Sequence, residues 1–428
     1  MRLGLLLRTF RLIALLSFLI PLALKSQEKA TLPDGQLRSR QFVYVNNDYG
    51  CYGGFFDDCP DNTISAYSVT SDGSLAAIPG SPFDTGGNGG GGWLFASNRI
   101  SVSTVSDFLF AGNSSSQDVS AFKINPKTGV LTPVKGSPFA TDAPTTIDGI
   151  AISPTPDGRF LMVADELAVT VFRIRRDGAL SRIEESPFPT RHMPVAMKVT
   201  PDGKFLAVSE EGLGQIEMFR IAGNGSLTSL GGFPAGANGY SKGVDIDCSS
   251  KFLYSGEATA GNTTVDVYRI DKGGSLIQLR RAPFTPGVGI DSQVVLLSAD
   301  DKQLFVSNQT SNTITVFDVD RNGGLSLVRG SPFPMNGSVQ EPAGIAISSD
   351  GHLLFAADLL TSYDPAVSVF DVAKTGTLTE VTSSPFAGNG GSGGGQALTV
   401  YPSKQCSLLV DNGHDRPEEG RQGDQEKE

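Results

Sequence analysis

The chain has 428 residues, with 34 Lys or Arg against 45 Asp or Glu and a formal charge of −11. A chain this acidic lacks the cationic footprint that holds a phosphate backbone, which argues against nucleic acid as a partner. Length alone suggests two or three domains, but an internal repeat overrides that prior.

The first 26 residues stand apart. Arg2, Arg8 and Arg11 precede an apolar run from Leu12 to Leu24, followed by Lys25-Ser26-Gln27. This reads as a signal peptide cleaved near Ser26, with an uncleaved anchor as the alternative. The apolar run is too short for an ordinary span, so no stable membrane span is expected after cleavage. Removing residues 1–26 takes away four basic residues (those three Arg and Lys25) and no acidic ones, so the charge moves from −11 to −15. The expectation is an exported protein, periplasmic or extracellular, and a monomer. Residues 27–41 form a short lead.

From Phe42 to Asp411 a unit recurs seven times. A β-type segment carries an aromatic (Tyr67, Phe122, Phe172, Phe219, Tyr268, Phe317, Phe370). A Gly-containing turn follows, then Leu or Val, then a Ser-Pro-Phe-like stop ending at Phe83, Phe139, Phe188, Phe233, Phe284, Phe333 and Phe386. A period of roughly 45 to 55 residues with several strands per unit is the signature of a β-propeller or solenoid. Each unit divides into two strand pairs. Gly149 to Ser153 and Phe160 to Ala164 flank one turn, and Val169 to Ile174 and Leu180 to Glu184 flank another. Alternating apolar residues broken by Asp-Gly turns are hairpin signals. The fold class is therefore all-β: one seven-bladed β-propeller over 42–411, with four antiparallel strands per blade.

The seventh inner strand comes only at Ala397 to Tyr401, while Phe42 to Asn46 matches a second strand. Pairing of these N- and C-terminal strands would close the ring and remove its open edges. Leu408 to Asp411 duplicates the second strand, so either copy can fill that place. Residues 412–428 form a charged tail expected to be disordered. Cys51 and Cys59 bracket a short Gly-rich, acidic loop, and a bridge between them fits an oxidising compartment. Cys248 and Cys406 fall in inner hairpins of blades far apart around the ring and are expected to be unpaired.

Leu304-Phe305-Val306-Ser307-Asn308, Thr313-Ile314-Thr315-Val316-Phe317-Asp318-Val319 and the Pro201 to Leu206 turn resemble the seven-bladed lactonase family that includes bacterial 6-phosphogluconolactonase. They also resemble surface propellers built from Tyr-Val-Thr-Asn repeats. The resemblance implies hydrolytic opening of a sugar lactone. Such enzymes commonly carry a His near the start of one inner strand and a Gly-Pro-Arg-His run at the start of another. Here the matching starts read Ile147-Asp148-Gly149-Ile150 and Met193-Pro194-Val195-Ala196, and Arg191-His192 precedes Pro194 instead of following it.

Aligned second strands end at Asn47, Asn113, Asp165, Glu210, Glu257, Asn308 and Asp358, placing an amide or carboxylate from every blade at one mouth of the channel. Asn and Asp also favour such positions simply because they bond nearby backbone. Three consecutive blades carry Asp165, Glu166, Glu210, Glu211 and Glu257. Close carboxylates can share a proton or bind a hard cation, so Asp165, Glu210 and Glu257 are the candidate metal ligands and Ca²⁺ the candidate ion, against a solvated acidic rim. His192, the only histidine on an inter-blade connection at that mouth, is the candidate general base. Arg191 is the candidate oxyanion partner, with Glu210 and Glu257 beside them. An exposed loop histidine without a role is the plainer alternative.

Three departures from the repeat gather in one sector: Asp48 to Asn62, Gly86 to Gly92 and Gly388 to Gly395, with Trp93 following the second. Long loops on a rigid scaffold are where binding resides, although Gly runs can also be linkers. The ligand-binding candidates are thus Asp165, Glu166, Glu211, Asp358 and Trp93. Two functions compete: an exported hydrolase of a small-molecule sugar lactone, and a non-catalytic propeller that binds a surface protein or glycan through the elaborated sector.

Overall fold

The computed structural model describes residues 40–48, 61–90, 98–141, 150–165, 167–210, 212–235, 241–259, 262–284, 292–336, 342–358, 366–387, 397–404 and 406. The leader, most of the lead, the Cys51–Cys59 loop, Leu408 to Asp411 and the tail lie outside them. Among the described residues no helix is long and apolar enough to cross a membrane.

Seven antiparallel sheets form the blades. Blade 3 shows the plan, with strands Pro194–Val199, Phe205–Glu210, Gln215–Ile221 and Leu227–Pro234 in spatial order. The first turn closes locally: Asp202 accepts from Thr200 Oγ1 at 2.7 Å and from the Lys204 amide at 3.1 Å, and Gly203 takes φ 72°. An Asp-Gly pair suits that geometry because the carboxylate satisfies turn amides and Gly reaches positive φ without strain.

The inner strands are Ile100–Val102, Ala151–Pro154, Pro194–Val199, Ser241–Ile246, Ser292–Leu297, Pro342–Ile347 and Ala397–Tyr401, for blades 1 to 7. Each packs on the next, and the seventh packs on the first. Phe42–Asn46 pairs with Ala397–Tyr401, in register from Phe42 opposite Tyr401 to Asn46 opposite Ala397, and on its other edge with Asp61–Val69. The N-terminal copy therefore fills the second-strand place.

The core lies between blades. One cluster joins Met162, Val169 and Val171 of blade 2 to Met197, Leu206 and Val208 of blade 3. Second strands are covered on both faces, so their bodies are apolar without alternation and their mouth ends carry buried polar side chains: Phe205–Glu210 is buried throughout. The Ser-Pro stop also has a bonding role. The hydroxyls of Ser81, Ser137, Ser186, Ser331 and Ser384 accept the amides of Ala66, Ala121, Val171, Val316 and Val369 at 2.7–3.0 Å. Blades 3 and 4 read Gly232-Phe233-Pro234 and Ala282-Pro283-Phe284 there and lack that serine.

One sequence expectation is corrected. Cys248 and Cys406 form a disulfide, with Cα atoms 5.4 Å apart and 158 residues between them. Their blades are far apart around the ring, as the sequence suggested. However, the chain beyond Tyr401 leaves its blade, and Lys404 already reaches Asp245 of blade 4, which brings Cys406 to Cys248.

Candidate functional site

The antiparallel order puts the second-to-third-strand turns and the connections between blades on one face, the mouth. Blade 3 carries the best-defined group there. The Glu210 carboxylate, fully buried at the end of its strand, accepts the amide of Arg191 at 2.8 Å and that of His192 at 3.1 Å through Oε1. Its Oε2 accepts from Gln215 Nε2. The Arg191 amide is shared with Glu217 Oε2 at 3.0 Å, so two carboxylates meet at one N–H. Ser229 donates to Glu217 Oε1, and the Arg191 guanidinium reaches the same oxygen at 3.7 Å while 55 % of its side chain remains exposed. Burial pushes Glu210 up to about 7. The Gln215 and His192 bonds oppose that shift, and Glu217 adds to it.

His192 is half-buried, and its Nδ1 is buried with no hydrogen-bond partner. The ring lies over Gly212, where an added Cβ would stand 2.7 Å from His192 Cε1. Gly212, with φ +88°, serves both the turn and this close approach. The structure therefore brings His192, Arg191 and Glu210 together, with Glu210 acting as the anchor of the loop that carries the other two.

Blade 4 repeats the acid pairing. Glu257 is 1 % exposed, and burial together with the Asp266 hydrogen bond and charge drives it up to about 9. Gln278 Nε2 donates to Asp266 Oδ1 at 2.7 Å. Glu257 does not end its strand, which continues to Thr259. Asp165 accepts from Thr141 Oγ1 at 2.7 Å. Asp165, Glu210 and Glu257 are all buried, so they do not form the solvated acidic rim that was the plainer expectation. Among the described residues no three His, Cys, Asp or Glu side chains gather to hold a metal. The other ring members also bond within the scaffold: Asn47 to Thr63 and Ser65 at 3.0 Å, Asn113 to Ser120 at 2.8 Å, and Asn308 to Thr315 at 2.8 Å. Asp358 ends its strand opposite Pro342. Glu166, Glu211, Trp93 and the Gly388 to Gly395 run lie outside the described residues.

Sequence reasoning missed three features. The Asp48–Arg99 ion pair, 2.8 Å long with both side chains fully buried, ties blade 7 to blade 1 at the mouth, and Ser114 Oγ and the Gly90 amide bond the same carboxylate. Asn98 donates to the carbonyls of Ile152 and Met197 at 2.7 and 2.8 Å, joining three blades. Lys242 is buried near the mouth end of its inner strand. The signal for the first two was a polar pair placed directly before the apolar Ile100–Val102.

The profile of the family described as lactonase, 7-bladed beta-propeller, matches residues 137–241 and 249–392. The chain belongs to that family. A putative 6-phosphogluconolactonase of Bacteroides fragilis is 22% identical at a TM-score of 0.64, over 85% of this chain and 98% of its own. A periplasmic gluconolactonase of Pseudomonas aeruginosa is 20% identical at 0.66, over 85% and 99%. These likenesses are of fold. No curated protein matches the sequence.

Proposed function

We propose that this lactonase-family propeller is an exported hydrolase of sugar lactones that binds its substrate at the mouth of blades 3 and 4. The observation behind this reading is the buried Glu210 carboxyl, which accepts the backbone amides of both Arg191 and His192 and so anchors the loop that carries the candidate base and cation. His192 takes the proton of a water as it attacks the lactone carbonyl, and the Arg191 guanidinium stabilises the resulting oxyanion. When the tetrahedral intermediate collapses, the ring C–O bond breaks and the imidazolium returns its proton to the departing hydroxyl. The products are the hydroxy acid and free enzyme. The leader favours an unphosphorylated sugar lactone over a cytosolic sugar phosphate. The likeness to a periplasmic gluconolactonase supports the same compartment and substrate class.

The test is turnover by the purified mature chain on a panel of aldono-lactones, corrected for spontaneous opening and run with and without Ca²⁺. Saturable hydrolysis of at least one member is expected without added metal. Background rates on the whole panel, with specific binding of a surface protein or glycan, would favour the non-catalytic propeller instead.

A further inference from the structure

At the face opposite the mouth, the chain beyond Tyr401 leaves the inner strand of blade 7, and both Lys404 and Cys406 bond blade 4, three positions away around the ring, so the chain must cross the channel's end. Lys404 sits at the crossing with 21 % of its side chain exposed, and Nζ donates to Asp245 Oδ2 at 3.1 Å and to the Leu297 carbonyl at 2.6 Å. Asp245, 3 % exposed, also pairs with Lys198 at 2.8 Å and accepts the Leu297 amide at 2.9 Å. One carboxylate thus joins blades 3, 4 and 5 to the segment. Just beyond, Cys406 is bound to Cys248, whose amide donates to Asp301 at 2.8 Å.

The segment can leave without stranding a charge. Asp245 would keep Lys198 and the Leu297 amide, and the Lys404 ammonium would regain water. Withdrawing that ammonium from water roughly offsets its ion pairing, so the pairing alone holds the segment weakly. The disulfide changes the balance by keeping Lys404 at high effective concentration beside Asp245.

We propose that residues 402–406 are a redox-latched stopper. Oxidation to the Cys248–Cys406 disulfide locks Lys404 across the channel and makes it blind at this face, and reduction releases the segment and opens the floor. The two thiols lose two electrons and two protons to an oxidant of the exported compartment, a quinone-linked or disulfide oxidase, as the S–S bond forms. The floor would then close only after export.

The experiment is limited proteolysis of the mature chain with a lysine-specific protease, read by mass spectrometry of the reduced products. It compares the wild-type chain with Cys406→Ser, which removes the latch without reducing any other cysteine. Cleavage after Lys404 should be at least tenfold faster in Cys406→Ser, while cleavage after Lys204 and Lys302 in the same face's turns stays unchanged. The same gain should follow reduction and alkylation of Cys248 and Cys406 in the wild-type chain. Equal rates at Lys404 would show that the segment stays put without the latch and would overturn the proposal. A parallel rise at Lys204 and Lys302 would also overturn it, by showing that the bridge staples the whole ring and not one segment.

Discussion

Glu257 offers a sharp energetic test. Its carboxyl is buried beside Asp266 and stays protonated up to about 9, against an ordinary value of 4.5. Between those limits the folded chain holds a proton that the unfolded chain has released. The contribution of this site to stability is therefore greatest below about pH 4.5, falls as pH rises through the interval, and levels off above about pH 9. One proton of difference corresponds to roughly 1.4 kcal/mol for each pH unit. Between pH 6 and 8 this site alone should cost the fold about 3 kcal/mol. Glu257→Gln keeps the size of the side chain and can donate an amide N–H to Asp266, but it cannot ionise. The assay is urea unfolding of both proteins at pH 6, 7 and 8, analysed by linear extrapolation. The variant should lose less stability than wild type over that span, by about 3 kcal/mol. Identical slopes would refute the shared proton, and with it the claim that the blade 4 acid pair is sealed from water. Asp266→Asn should flatten the wild-type slope in part, because it removes only the neighbouring charge and acceptor.

Glu210→Ala should lower kcat/KM for the lactone by tenfold or more because it frees the amides of Arg191 and His192; Glu210→Gln, which keeps an accepting oxygen, should lose less. Arg99→Met leaves Asp48 buried without its cation and should destabilise the fold by roughly 3–5 kcal/mol, read by denaturant unfolding. Gly129→Ala brings a Cβ to 2.5 Å from Ile78 Cδ1 and Phe42 Cδ1 at φ +73°, whereas Gly203→Ala at φ +72° meets nothing within 4 Å. The first should lower the melting temperature clearly more than the second, because it adds overpacking of about 1–3 kcal/mol to the shared backbone cost.

The propeller was legible because each blade is written locally. The aromatic in the third strand, the Asp-Gly turns and the Ser-Pro stop all recur, and closure by Ala397–Tyr401 follows from counting inner strands. The acid pairs were half legible. The strand-end residues were aligned, but the position two before each third-strand aromatic was not. It reads Ser65, Ser120, Thr170, Glu217, Asp266, Thr315 and Ser368, so only blades 3 and 4 set an acid diagonally across from the acid near the end of the second strand. Reading both columns would have shown that Glu210 and Glu257 each meet an acid of their own blade, Glu217 and Asp266. The Cys248–Cys406 bridge was hidden for a different reason. Strand periodicity places residues around the ring and says nothing about a segment that crosses the axis. His192 was identifiable by its scarcity, but its fastening to Glu210 depends on a side chain 18 residues away and appears only in three dimensions.

The most direct measurement is steady-state hydrolysis of an aldono-lactone by the mature wild-type chain, His192→Ala and Arg191→Ala, followed by acid release in a pH-stat. Saturable turnover by wild type is expected, with a loss in kcat of roughly 10²-fold or more in His192→Ala, the usual scale of general-base catalysis. Arg191→Ala should show a comparable loss from the missing oxyanion partner. Full activity in His192→Ala, with the fold intact, would contradict the assignment of the base and the site built around it.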